Sequence, residues 1–336
     1  MNGGSVLVLR ASGLGDLLTV VPALRALADA FPDHRRLLAT PAWLHPLAHH
    51  LGVVHELIPS TGPGGPPLGE RAAGAEVAVN LHGRGPQSHE LLLAARPRRL
   101  IAFAHPAVRR GAGSPRWRSA EHEVARWCRL LTGSGIAADP RRLDMRPPGG
   151  PPPPGTAGAT LVHPGAGSPA RRWPAERFAA VARAELRAGR EVVVSGSAGE
   201  VELAGRVAEL AGLPRGASLA GSADLLALAR AVAAAGRVVC GDTGVAHLAT
   251  ALGTPSVVLF GPVPPTEWGP PPDRPWHRAL WAGTRGDPHG LQLDRGLLEI
   301  SVGQVVDELV ALPERRGSRR SGVAASTPAF GGPAPR

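Results

Sequence analysis

No lysine and no tyrosine occur anywhere in this chain of 336 residues, so every cation of the Lys/Arg class is an arginine. These absences exclude particular chemistries. A Walker-type phosphate loop needs its lysine, a pyridoxal-phosphate enzyme needs a Schiff-base lysine, and a Tyr-Lys hydride-transfer pair needs both. Cysteine is nearly absent as well: Cys128 and Cys240 stand far apart, without His or Cys at zinc-ligand spacing, so neither a disulfide framework nor a structural metal is indicated. No window offers the roughly 20 uninterrupted apolar residues that span a bilayer. The N-terminus enters a strand-like run, Ser5 to Arg10, with no charged leader or small-residue cleavage site. A reducing, cytoplasmic setting is expected.

The net charge of +10 suits an anionic partner: a phosphate-bearing substrate, an acidic membrane surface or nucleic acid. Much of the excess lies in diffuse clusters, such as Arg96, Arg98 and Arg99, or Arg315, Arg316, Arg319 and Arg320. These read as solvated faces, and no nucleic-acid-binding motif accompanies them. Exposed arginines also suit peripheral contact with an anionic inner leaflet.

The apolar pattern alternates strands and helices. In the first half, strands are predicted at Val6 to Arg10, Leu37 to Thr40, Val53 to Ile58, Val77 to Asn80 and Arg99 to Phe103. A helical segment after the first strand runs to Ala30, and Pro22 either starts or kinks it. A Pro/Gly-rich run between Arg146 and Gly158 holds neither helix nor ladder strand. The rhythm then restarts, with strands at Thr160 to His163, Glu191 to Ser195, Arg237 to Cys240 and Ser256 to Phe260. Helices are predicted near Ala175 to Arg187, Glu200 to Ala211, Ala223 to Ala235, Gly244 to Leu252 and Val302 to Leu312. This divides the chain into an α/β domain at 1–147, a linker at 148–158, a second α/β domain at 159–312 and a disordered tail at 313–336. Both domains are expected to be doubly wound parallel sheets, which bind ligands at the carboxyl ends of their strands.

Three strand-to-helix junctions carry chemistry. Arg10-Ala11-Ser12-Gly13-Leu14-Gly15-Asp16 ends in a carboxylate at a helix start. Small residues such as Gly15 let backbone approach a ligand, and on spacing alone Asp16 reads equally as helix cap or as base. It is not a dinucleotide fingerprint, because Leu18 replaces the third glycine. His163-Pro164-Gly165-Ala166-Gly167-Ser168, followed by Arg171 and Arg172, reads by itself as an ordinary strand-to-helix loop with exposed arginines, although its amides, hydroxyl and guanidinium groups also suit a diphosphate. Gly241-Asp242-Thr243-Gly244-Val245-Ala246-His247 opens a helix whose N-terminus suits phosphate, with His247 one turn from Thr243.

Together with Phe260-Gly261-Pro262 and Trp268-Gly269-Pro270, these segments resemble the heptosyltransferase family, glycosyltransferase family 9. The resemblance implies a GT-B fold, two Rossmann-like domains facing each other, and transfer that inverts the anomeric centre without a metal or other cofactor. It implies a nucleoside-diphosphate sugar such as ADP-heptose as donor and a saccharide or glycolipid of the cell envelope, as in lipopolysaccharide core synthesis, as acceptor. By resemblance Asp16 is the general base. Asp242, Thr243, Gly244 and His247 match the donor-binding segment, Ser168 lies in the diphosphate loop, and Glu200 matches a carboxylate that holds the nucleoside. Arg171 stands where the family often has lysine; it keeps the positive charge for the departing diphosphate but differs in reach. The loop Asn80-Leu81-His82-Gly83-Arg84-Gly85 is a candidate for acceptor contacts. A nucleotide-sugar epimerase and a non-catalytic nucleotide-sugar-binding protein share the two-domain outline; the latter has no use for Asp16.

Overall fold

A computed structural model describes residues 4–108 and 114–313. The tail from residue 314, expected to be disordered, lies outside the described residues. The first half contains β1 (Ser5–Leu9), α1 (Leu14–Thr19), α2 (Val21–Ala30), β2 (Arg35–Thr40), α3 (His45–His50), β3 (Glu56–Pro59), β4 (Val77–Asn80), α4 (Gln87–Ala94), β5 (Arg99–Ile101) and α5 (Glu123–Thr132). The second contains β6 (Thr160–His163), α6 (Ala175–Arg187), β7 (Val192–Val194), α7 (Val201–Ala211), α8 (Leu225–Ala234), β8 (Arg237–Gly241), α9 (Gly244–Leu252), β9 (Ser256–Phe260), α10 (Pro265–Trp268), β10 (His277–Trp281), α11 (Arg295–Glu299) and α12 (Val302–Ala311).

Each half is a five-stranded sheet whose pairs are all parallel, ordered β3-β2-β1-β4-β5 and β10-β9-β8-β6-β7. Both are doubly wound, and both reverse direction at one point: between β1 and β4 in the first sheet, and between β6 and β8 in the second. A crevice opens at the strand ends where neighbouring crossovers diverge to opposite faces. The loops after β1, β6 and β8, the three chemical junctions of the sequence, therefore all sit beside a switch point.

Strand alternation divides the core. Val6 and Val8 of β1 face inward, while Leu7 and Leu9 pack with Leu37, Ala78 and Leu92 in an outer layer. The inner layer crosses between the halves without interruption: Leu17, Leu18 and Leu24 of α1 and α2 join one apolar cluster with Ala229 and Val232 of α8 and Val245, Leu248 and Leu252 of α9. The outer face of the second sheet has its own cluster, in which Trp173 meets Phe178 edge-on and α6, α7 and α12 contribute Val181, Val207 and Leu309.

Among the strand and helix bounds that differ from expectation, two differ for identifiable local reasons. The helix expected to continue to Ala30 is two helices. Pro22 occupies the first turn of α2, and Val20 (φ −94°, ψ 0°) ends one helix and starts the next. The third strand begins at Glu56 instead of Val53, because the Val53 carbonyl accepts from the Arg36 guanidinium and ladder pairing starts only at Leu37–Glu56. Residues 146–158 form no helix or strand, yet the run is pinned at its end, where the Gly158 amide donates to the Ala234 carbonyl.

The two halves meet most closely where α1 packs on α9. A methyl group at Gly244 would lie 2.7 Å from Leu14 Cβ, and one at Gly15 would lie 2.7 Å from His247 Cδ2. Only bare Cα atoms permit this approach. Gly244→Ala should therefore destabilise the protein by about 1–3 kcal/mol, the range for overpacking. Gly205→Ala, on the exposed face of α7 with open space around the added methyl, should stabilise it by about 1 kcal/mol. Urea-unfolding midpoints of the two variants must move in opposite directions; a gain for both would refute the close approach.

Candidate functional site

The switch points face one another across a cleft of about 760 Å³. From the first half it is lined by Gly13, Leu14, Gly15, Asp16 and Trp43. The second half contributes, among others, His163, Gly167, Arg171, Glu200, Asp242, Thr243, Gly244, His247 and Trp268. Of the nine residues singled out in sequence, eight line this cleft. Ser168 does not: it is buried, and its hydroxyl donates to the Pro288 carbonyl at 2.6 Å. It braces the loop instead of facing the cleft.

Asp16 caps its helix and also lines the cleft. Its Oδ2 accepts from the Gly13 amide at 3.0 Å, and its Oδ1 from Arg10 Nη2 at 2.8 Å. Each oxygen keeps a lone-pair direction free. Arg10, which sequence reasoning gave no role, is the hub behind it. Its guanidinium is 1% exposed, donates to the Asp16 and Leu81 carbonyls and to Glu123 Oε1 at 2.9 Å, and lies 5.0 Å from the Trp127 ring centroid. Glu123 in turn accepts from Trp127 Nε1 and Arg126. Two carboxylates thus neutralise one buried cation, and the Asp16 carboxyl is fixed from behind. The only sequence signal was a charged residue ending an apolar strand.

On the facing wall, Thr243 is the N-cap of α9 but its hydroxyl makes no capping bond, leaving it and the leading amides of the helix available. Asp242 is buried beneath them. Burial pushes its pKa up to about 6, with the Arg171 charge opposing and Asp16 adding to the rise. Arg171 Nη1 stands 3.7 Å from the Asp242 carboxylate and donates to its carbonyl at 3.3 Å. His247 is wedged between Gly15 and the edge of Trp268, at 6.0 Å between ring centroids. Desolvation lowers its pKa to about 4, and the Asp16 charge only partly offsets this, so its imidazole is neutral at pH 7. Glu200 Oε2 accepts from the amide and hydroxyl of Ser197, and the carboxylate fills the space beside Gly165, where a methyl group would lie 2.0 Å from Oε1.

The site glycines therefore have a reason beyond the one read in sequence. Gly15 and Gly244 line the cleft and Gly165 adjoins its Ala166–Gly167 edge, but the volume their missing side chains free is filled by His247, Leu14 and Glu200 respectively. The loop after β4, a candidate for acceptor contacts, closes as a strand-end turn. Asn80 ties its own turn, accepting from the His82 and Gly83 amides and donating to Ser88 Oγ. His82 Nδ1 lies 3.2 Å from Ser12 Oγ, beside the Asp16 loop. Among the described residues no group of three or more His, Cys, Asp or Glu is placed to hold a metal ion.

Two doubly wound domains with their switch-point loops facing across one cleft make a GT-B fold. Residues 153–283 match the family model for glycosyltransferase family 9 (heptosyltransferase). Lipopolysaccharide heptosyltransferase 2 of Salmonella typhimurium is 29% identical over 161 residues, which cover 44% of this chain and 44% of that protein, so the match spans less than half the relative's length. Solved structures agree over nearly the whole fold. The E. coli ADP-heptose lps heptosyltransferase II superposes with a TM-score of 0.71 at 23% identity, covering 91% of this chain and 98% of that one. A family 9 glycosyl transferase from Veillonella parvula gives 0.73 at 19% identity, covering 93% and 98%. The chain therefore matches the family 9 model over residues 153–283 and shares the fold of these solved glycosyltransferases over nearly its whole length.

Asp242 and His247 of the cleft, with His277 buried outside it on β10, set a pH dependence with opposing parts. Asp242 titrates near 3.8 when unfolded and about 6 when folded, so the native state holds the extra proton and this contribution is lost as pH rises through 6. His247 falls from 6.5 to about 4 and His277 to about 3, so the unfolded chain binds those protons first and stability is lost as pH falls below 6.5. Asp242→Asn removes the opposing part. Its unfolding free energy should fall more steeply between pH 6.5 and 4 than that of the wild type; parallel urea-titration profiles would refute the assignment of the buried charge.

Proposed function

We propose that the protein transfers a sugar, a heptose in the first instance, from a nucleoside-diphosphate donor to a saccharide acceptor, with inversion and without a metal. The observation that carries this reading is that Asp16, from one half, lines the same cleft as Arg171, Thr243 and His247 from the other. A carboxylate on the far side of the cleft from a phosphate cradle is what a single displacement at an anomeric carbon requires.

In this reading the diphosphate lies against the N-terminus of α9 and the Arg171 guanidinium, and the sugar lies between His247 and Asp16. The carboxylate of Asp16 takes the proton of the acceptor hydroxyl as its oxygen bonds to the anomeric carbon. The bond from that carbon to the donor phosphate breaks, and the nucleoside diphosphate leaves with the electron pair. Its growing charge is stabilised by Arg171 and the helix amides, groups already fixed in place before reaction. Attack and departure on opposite faces invert the centre. Arg10 holds the base in register through both the side chain and carbonyl of Asp16. His247, neutral at working pH, offers one donor and one acceptor to sugar hydroxyls without competing for the proton.

The names of the relatives, lipopolysaccharide heptosyltransferase and ADP-heptose heptosyltransferase, support ADP-heptose as donor and a lipopolysaccharide core precursor as acceptor. No helix of the described residues is long and apolar enough to cross a membrane. Work at the cytoplasmic face of the inner membrane, drawn there by surface arginines, fits this reading.

Asp16→Asn should lower kcat for transfer by about 10²–10⁴-fold, the usual contribution of a general base, while nucleoside-diphosphate affinity changes less than about threefold. Turnover unchanged in Asp16→Asn would remove it as base and leave a binding protein. Activity that survives exhaustive chelation with EDTA is expected; its loss, with recovery on adding back one metal, would overturn the metal-free mechanism.

A further inference from the structure

The cleft has a second character besides its charged centre. The strand order fixes how its lining changes along its length. From β8 to β6 to β7, the second wall passes from Asp242–His247, through His163–Arg171, to Ser195–Glu200. Beyond β7, Ser218 bridges Val194, and the wall continues as Leu219, Ala223, Leu225 and Leu228. The far end is thus largely aliphatic, with one carboxylate, Asp224, whose Oδ1 is engaged in capping α8 at the Ala227 amide. The first wall shifts the same way, from the Asp16 loop after β1 to the turn after its neighbour β2, where Trp43 stands.

Trp43 differs from the other six tryptophans. Trp117, Trp127, Trp173, Trp268, Trp276 and Trp281 each make a ring contact or donate a hydrogen bond within the fold. Trp43 is 55% exposed, and among the described residues no hydrogen bond or ring contact engages its indole. It is nonetheless firmly placed: Leu44 beside it is fully buried, and the following α3 packs against α8. A rigidly mounted, half-bare indole facing an aliphatic wall across a ligand-sized cleft leaves a slot for a flat, apolar-faced group.

We propose that this slot takes the nucleobase of the donor, stacked on the Trp43 indole from the first half and backed by Leu219, Leu225 and Leu228 from the second. The inference rests on the reading of the cleft as a nucleotide-sugar site. It accounts for the linear order of such a molecule: sugar at Asp16 and His247, diphosphate at Arg171 and Thr243, ribose near Glu200, base at Trp43. Because its stacking surface and its backing come from different halves, the base ties the two halves together, and an acceptor-side residue contributes to donor affinity.

Isothermal titration of the wild type, Trp43→Ala and Trp43→Phe with ADP, UDP and inorganic pyrophosphate tests this. Trp43→Ala should weaken ADP by about tenfold or more, the range for loss of one base–aromatic stack, and leave pyrophosphate within about twofold. Trp43→Phe should restore ADP to within about threefold of wild type. ADP should also quench tryptophan emission in the wild type more than in Trp43→Ala. Unchanged ADP affinity in Trp43→Ala, or an equal loss for ADP and pyrophosphate, overturns the stacking role. A wild type that binds pyrophosphate as well as it binds ADP also overturns it while sparing the diphosphate cradle. A wild type that binds neither overturns the reading of the cleft, and Trp43 with it.

Discussion

Everything at the site depends on two helices crossing with almost nothing between them. Gly15 of α1 admits His247, and Gly244 of α9 admits Leu14, so the first turn of each helix serves as packing surface for the other. The same two turns carry Asp16 and Thr243, the residues with chemical work on opposite walls. The separation of Asp16 from Thr243 is therefore set by helix packing, which places side chains more precisely than loops do. A side chain at either glycine would push Asp16 away from the start of α9 as well as weaken the fold.

The electrostatics follow from that closeness. A cleft narrow enough to bring two domains into contact desolvates whatever lines it, and its groups settle accordingly. His247 stays neutral, Asp242 is drawn toward protonation with Arg171 resisting, and Arg10 is tolerated in the interior because Asp16 and Glu123 both meet it. Removing Arg10 would free the Asp16 carboxylate from its anchor and leave Glu123 to Arg126 and Trp127. Among the described residues the most deeply buried guanidinium thus stands behind the proposed base, not in front of it.

The sheets, the junctions and the facing of Asp16 toward Asp242–His247 were legible because each rests on local pattern: buried strands as short apolar runs, helix starts marked by Gly, Asp and Thr, and strand-end loops as ligand sites. Long-range partners were not. Nothing near Arg10 announces Glu123, which lies 113 residues away and joins it only through tertiary packing. Ser168 looked like a ligand hydroxyl because its partner, the Pro288 carbonyl, is equally distant in sequence. The site glycines were legible as necessary, but their reason was not, since a missing side chain does not say what fills the space. The strand at His277–Trp281 escaped notice because it is an edge strand with only one residue fully buried, and so lacks a continuous apolar run.

The apolar layer shared by the two halves also has a history within each molecule's synthesis. The inner face of α1 finds its cover on α9 and that of α3 on α8, and the chain reaches residue 252 some 120 residues after α5 is complete. At translation rates of roughly 5–20 residues per second, the first half spends on the order of ten seconds outside the ribosome with those faces still wet. The interval during which the nascent chain is most exposed to misassembly is set by the length of the intervening sequence, not by how fast either half folds.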